Sequence, residues 1–281
     1  MSLRADLTDR YVKLPNGFNI RYLERGEGRP VVLVHGLGIT MAADQWINNY
    51  DALAKHLHVY SLDMPGWGLS DLPASGYSFE RWAETLAQFT RALGLGQVDV
   101  IGQSLGGWSA MFFAHQHPEL VRRLVLVVNA GLNPPPSGLT GAFQLPDRAR
   151  MRAIHETLWR GDVRVTEEML DELERRVRRP GRDAAFIAIR DYVGDLGVRE
   201  RYSPRHLLPT MHMPVLHVWG DNADPLLVQY GIEQYDLTPH PRLAVIYDGG
   251  ENPQGHAPRQ FEDAATRFLT SPDIAPIKRV R

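Results

Sequence analysis

Cysteine is absent from all 281 residues. That excludes a disulfide framework, a thiolate nucleophile and a thiolate metal site. No sign of charge dominates: 31 basic residues face 33 acidic ones, for a net charge of −2. Such a chain has no global field drawing it to nucleic acid or to anionic lipid. No apolar run approaches the ~18 residues of a spanning helix, and residues 1–13 lack a signal-peptide core. With 25 glycines and 20 prolines the chain is not low-complexity either. What is there is ordinary for a globular protein: 43% hydrophobic and 23% charged residues, and length enough to bury about three quarters of the unfolded surface. The expectation is a soluble, cytoplasmic protein with a large core.

The first half alternates short β-branched runs with longer helical patterns. Phe18–Arg25, Val31–Val34, Val59–Leu62, Val98–Ile101 and Leu124–Val128 read as strands, the last four as continuous apolar runs suited to burial on both faces. Phe79–Leu93 and Leu105–His115 carry apolar residues at three- and four-residue spacing and read as helices. Regular alternation predicts right-handed crossovers and a mostly parallel α/β sheet flanked by helices. The rhythm breaks at the Asn133–Pro136 cluster. It resumes after Pro214 with strands Val215–Trp219 and Leu243–Tyr247 and a helix at Glu262–Leu269. The interval is helical, with Thr166 as an N-cap before Glu167 and Glu168. The expected organisation is a sheet domain over 1–132 and 214–272, a helical insertion over 133–213 and a flexible tail over 273–281.

Gly102–Gln103–Ser104–Leu105–Gly106 follows one expected strand directly and opens the next helix. In that context G-x-S-x-G is a nucleophile elbow: a serine on a sharp strand-to-helix turn, with small neighbours that let strand and helix approach. Leu105 N–H, the first amide after the serine, can face a developing oxyanion. The loop His35–Gly36–Leu37–Gly38 ends an earlier strand, and Leu37 N–H is the second candidate donor, with Gly38 beside it and His35 bracing the turn. Of eleven histidines, His256 alone lies in a glycine-rich loop after the last expected strand, where an elbow serine needs its base. The acid belongs in the loop after Val215–Trp219. Asp224 is favoured there, and Asp221 is the alternative, readable also as a loop-closing residue. No histidine has a clear metal partner.

In this order His35–Gly38, the D-x-P-G-x-G-x-S run at Asp63–Ser70, the Ser104 elbow, the Asp224 loop and Gly255–His256 resemble the α/β-hydrolase fold family. The resemblance extends over all but the last ten or so residues and identifies the insertion with that family's helical cap. Within the family the chain is similar to the meta-cleavage-product (carbon–carbon bond) hydrolases and related carboxylesterases. Trp46–Ile47–Asn48 resembles a W-x-N in which the asparagine touches a polar substrate group. Gly38, Gln103 and Arg190 are the other candidates for substrate contact. Arg190 stands in the mostly apolar Phe186–Tyr192, within a stretch from Leu145 to Arg205 that holds 14 arginines and no lysine. Gln103 replaces the usual asparagine before the nucleophile, and Ala257 the usual tryptophan after the histidine.

The resemblance implies a serine hydrolase working through Ser104, His256 and Asp224, without metal or cofactor, on a small-molecule ester in a pocket between sheet and cap. Carbon–carbon bond hydrolysis is the alternative. A perhydrolase using the same triad and a non-catalytic ligand-binding member of the fold stand behind it. No nucleic-acid or membrane partner is expected, and a homodimer is left open.

Overall fold

The computed structural model describes residues 2–135, 144–160, 163–224 and 226–272. The tail expected over 273–281, and Pro136 and Pro225 of the two loops above, lie outside the described residues. Eight strands form one sheet: β1 (Arg10–Lys13), β2 (Asn19–Arg25), β3 (Pro30–Val34), β4 (His58–Leu62), β5 (Val98–Gln103), β6 (Val121–Val127), β7 (Val215–Gly220) and β8 (Pro241–Ile246). Their order is β1-β2-β4-β3-β5-β6-β7-β8. β1–β2 and β2–β4 pair antiparallel, and every other pair is parallel.

The central strands show why they were legible. Val32 and Val34 face one apolar cluster while Val31 and Leu33 face another, so alternate side chains of one short run feed both faces. Each such side chain contributes about 1.5–3 kcal/mol on full burial. The edge strand β1, with the sequence RYVK, is mostly exposed and carries no apolar run; it is absent from the sequence-based expectation for that reason.

The helices are α1 (Tyr50–Leu53), α2 (Phe79–Ala92), α3 (Leu105–Gln116), α4 (Arg148–Leu158), α5 (Glu167–Val177), α6 (Arg182–Gly194), α7 (Leu196–Arg201), α8 (Pro204–Leu207), α9 (Val228–Leu237), α10 (Pro253–His256) and α11 (Pro258–Thr270). From Leu105 to Ala114 every residue of α3 is buried, the mark of a helix enclosed on all sides. Among the described residues five α-helices, α4 to α8, intervene between β6 and β7. Thr166 caps α5 as its sequence position implies, its side chain accepting from Met169 N–H. Among the described residues no helix is long and apolar enough to cross a membrane, and no group of three or more His, Asp or Glu could hold a metal ion.

The inserted helices meet the sheet domain through apolar residues such as Ala185, Ile189 and Val193, which join its main core cluster, and through arginines. Arg176 Nη1 donates to Asp44 at 2.6 Å, Arg179 Nη1 to the Gly68 and Ser70 carbonyls at 2.6 and 3.0 Å, and Arg182 to the Gly66 and Ile39 carbonyls, each at 2.7 Å. Asp44 also accepts from Arg21 at 2.8 Å, and Arg21 reaches Asp63 at 3.1 Å. All four of Arg21, Asp44, Asp63 and Arg176 are buried. Burial alone would raise the Asp44 carboxyl, but the guanidiniums of Arg176 and Arg21 hold it far below the usual carboxylate range.

Candidate active site

Ser104 sits between β5 and α3 with φ 51° and ψ −115°, a conformation outside the regions open to ordinary residues. Holding it costs about 1–3 kcal/mol, which the surrounding packing must offset. The flanking glycines are explained by space. A Cβ on Gly102 would lie 2.5 Å from the Gly106 carbonyl oxygen, and one on Gly106 would lie 2.3 Å from that of His35. Strand, helix and the loop after β3 therefore meet at van der Waals limits around the serine.

Two amides are the candidates for an oxyanion. Leu105 N–H is the first of α3, where the helix dipole favours negative charge. Leu37 N–H lies in the loop after β3. Among the described residues neither amide donates a hydrogen bond to the protein. His35 holds that loop: Met64 N–H donates into its Nε2 at 3.1 Å, so the proton sits on Nδ1, which bonds the Gly36 carbonyl at 3.0 Å. Burial lowers the His35 pKa to about 4, so the ring stays neutral and keeps the lone pair that Met64 needs.

His256 closes α10, half-buried, with its ring against Gly250: a Cβ there would be 2.8 Å from His256 Nδ1. Its Nε2 is buried and has no hydrogen-bond partner among the described residues. Burial, then the charge of Arg160, lower its pKa, against the backbone dipoles of Thr157 and Gly249 and the charge of Asp248. The loop leading to it is tied to the inserted helices and to α1's approach. Asn252 Nδ2 donates to the Leu158 carbonyl at 2.5 Å, and Asn48 Nδ2 to the Gly255 and Arg160 carbonyls at 3.4 and 3.5 Å.

Ser104, His256 and Asp224 are not joined by hydrogen bonds among the described residues. Asp224 is exposed, and its charge acts on Glu251, whose carboxyl is raised mainly by burial. Asp221 accepts from Asp248 N–H at 2.9 Å, and Asn222 Oδ1 from Gly250 N–H at 2.8 Å, so both brace the turn before His256. Asp248 itself was missed in the sequence. Its signal is structural only: a non-glycine residue at φ 54° whose charge reaches His256.

Of the substrate candidates, Gln103 is buried and its amide is spent on Gln45 and the Glu251 carbonyl. Arg190 pairs with Asp191 at 3.0 Å. Gly38 presents its carbonyl to Trp67 Nε1 at 3.0 Å. A cavity of about 1320 Å³ lies between residues 2–9, Asn48, the start of α5 and Arg259, and Ser104 does not line it.

The family model described as "alpha/beta hydrolase fold" matches residues 29–258. The chain is similar to a 2-hydroxymuconate semialdehyde hydrolase of Pseudomonas putida, 30% identical over 268 residues that span 92% of this chain and 94% of the relative. Among solved structures it resembles a serine hydrolase involved in carbazole degradation, CarC, at TM-score 0.78 and 26% identity, covering 94% of this chain and 99% of the other. It also resembles Est816, an N-acyl homoserine lactone degrading enzyme, at TM-score 0.72 and 25% identity, covering 92% and 100%.

Proposed function

This chain belongs to the α/β-hydrolase family, and we propose that within it the protein is a serine hydrolase opening a carbon–carbon bond beside a carbonyl in a small unsaturated oxo acid. One observation carries the reading: the similarity to the 2-hydroxymuconate semialdehyde hydrolase runs over nearly the full length of both chains, the inserted helices included. Ester hydrolysis, the first expectation from sequence, becomes the second reading.

In the proposed mechanism His256 is the base. Its lowered pKa keeps it neutral at pH 7, and its unpartnered Nε2 is the atom that takes the Ser104 proton. Asp224, the carboxylate expected from sequence, or Asp248, the one whose charge reaches His256, orients the imidazole; Asp221 is the lesser candidate because its carboxylate already holds Asp248 N–H. Hydrogen bonds of this kind are often loose before substrate binds and tighten in the complex. Ser104 Oγ attacks the carbonyl, and the Leu37 and Leu105 amides receive the oxyanion. The carbon–carbon bond breaks with its electron pair passing into the unsaturated acid half, which His256 protonates. Water, deprotonated by the same histidine, then releases the acyl group from Ser104.

The ester reading is favoured by the arginines. A substrate carboxylate calls for a cation facing it, yet the buried Arg176, Arg182 and Arg199 of the inserted helices all donate to protein oxygens. Decay of a coloured dienolate, compared with a p-nitrophenyl ester series, separates the two. A dienolate kcat/KM at least about tenfold above the best ester supports the proposal; each factor of ten is about 1.4 kcal/mol of transition-state discrimination. Dienolate decay no faster than in Ser104→Ala, with esters turned over, replaces it by the ester reading. Failure of a fluorophosphonate to label Ser104, with neither substrate consumed, favours a ligand-binding protein.

A further inference from the structure

Three side-chain amide bonds run in series behind the elbow. Gly36 N–H donates to Gln45 Oε1 at 2.7 Å, Gln45 Nε2 to Gln103 Oε1 at 3.0 Å, and Gln103 Nε2 to the Glu251 carbonyl at 3.1 Å. Gln45 lies in a short 3-10 turn, Ala43–Trp46, and Gln103 ends β5 one residue before Ser104. The two glutamines are buried; the first two bonds are shielded from water and the third is partly so. Their sense is fixed from both ends. A backbone N–H can only donate, so Gln45 must turn its oxygen to Gly36 and its nitrogen to Gln103; Gln103 then turns its oxygen to Gln45 and has only its NH2 left for a carbonyl.

We infer that Gln103, with Gln45, is a positioning residue that sets the oxyanion loop and the histidine loop in register about Ser104; the inference rests on the serine-hydrolase reading of the site. The termini of the series are the reason. Gly36 is held at its N–H by Gln45 and at its C=O by His35 Nδ1. The Gly36 carbonyl and the Leu37 N–H belong to one planar trans peptide, so fixing the carbonyl points the N–H to the opposite side. At the other end, Glu251 is five residues before His256 on the same loop. The loop after β3 is built around this contact: a Cβ on Gly36 would fall 2.0 Å from Gln103 Oε1. A glutamine one residue before the nucleophile thus connects the two groups that must converge on the substrate carbonyl. Its polar atoms are used by the protein rather than held for substrate.

The test uses the whole chain and whichever of the two substrate classes it turns over. Gln103→Leu and Gln45→Leu should each lower kcat about 10- to 100-fold, the scale set by a misplacement of about 1 Å, with KM within about twofold. The rate of fluorophosphonate labelling at Ser104 should fall in parallel. The double variant should be no worse than either single, within about twofold, because a series broken at one link is already broken. Gln103→Glu keeps the volume and the bond from Gln45 but turns a carboxylate oxygen, which cannot donate, toward the Glu251 carbonyl; with that one link broken it should lose about as much as Gln103→Leu, and it decides the matter if the leucine variants do not melt cooperatively. A rise in KM at unchanged kcat would make Gln103 a substrate contact and overturn the inference. Multiplying losses in the double variant, or wild-type kcat and labelling in all variants, would overturn it also. If wild type itself shows neither labelling nor turnover dependent on Ser104, the serine-hydrolase reading fails and the inference falls with it; a labelled, active wild type beside unaffected variants removes the inference alone.

Discussion

Replacing Arg176 by methionine removes the charged contact between α5 and the sheet domain while keeping most of the stem's volume. Its side chain is only 4% exposed, and Asp44's 3%. The substitution deletes the 2.6 Å bond to Asp44 and the 2.8 Å bond to Glu172. Removing one partner of a buried pair costs about 3–5 kcal/mol when the other is stranded. Here Asp44 is not stranded, because Arg21 at 2.8 Å and Leu3 N–H at 2.9 Å remain. The expected loss for Arg176→Met is therefore smaller, about 2–4 kcal/mol, or a fall in Tm of about 4–8 °C for a chain of this size. Asp44→Asn takes one anion from both guanidiniums, but Arg21 keeps Asp9 and Asp63 and Arg176 keeps Glu172, so its cost should also be about 2–4 kcal/mol. Urea unfolding at pH 7.5, followed by tryptophan fluorescence and far-UV circular dichroism, measures both, and the double variant gives the coupling. The pH dependence has a definite sign. Asp44's carboxyl is depressed in the folded state, so its contribution is complete above the unfolded value of about 3.9 and is lost as pH falls below it. The difference between wild type and Arg176→Met should accordingly be flat from pH 8 to 5. Single variants each within about 0.5 kcal/mol of wild type, with no coupling, would refute the view that this buried cluster fastens the inserted helices.

Two further outcomes follow from the elbow and the histidine. Ser104→Gly should abolish turnover and yet melt about 2–4 °C above Ser104→Ala, since glycine tolerates the positive φ of 51° that alanine must still bear; equal melting temperatures would show that the turn stores no strain. The acid limb of kcat/KM should have its midpoint below 6.5, because burial and the charge of Arg160 depress His256. Removing that cation in Arg160→Gln should move the limb upward, and a midpoint that stays put or moves down would show that another group sets the limb.

The parallel strands and the elbow were legible because local chemistry alone specifies them. A strand buried on both faces must be apolar where it is enclosed, as in Val31–Val34 and Leu124–Val127. A serine on a crowded turn must have glycines at 102 and 106. The exposed β1 left no such trace.

Residue types and spacing determined that a serine sits on a crowded turn between a buried strand and a buried helix in a mostly parallel sheet, and named the residues that would compete to serve it as a nucleophile. Tertiary structure alone decided where the long polar side chains end. Arg21, Asp44 and Arg176 meet from three distant stretches of chain, and Gln103 turns to Gln45 and Glu251. The physical reason is range. Hydrophobic periodicity and backbone sterics act between neighbours and print themselves on the sequence, whereas a glutamine or arginine has several rotatable bonds, and its direction is set by whichever buried donor or acceptor the finished fold brings within 3 Å.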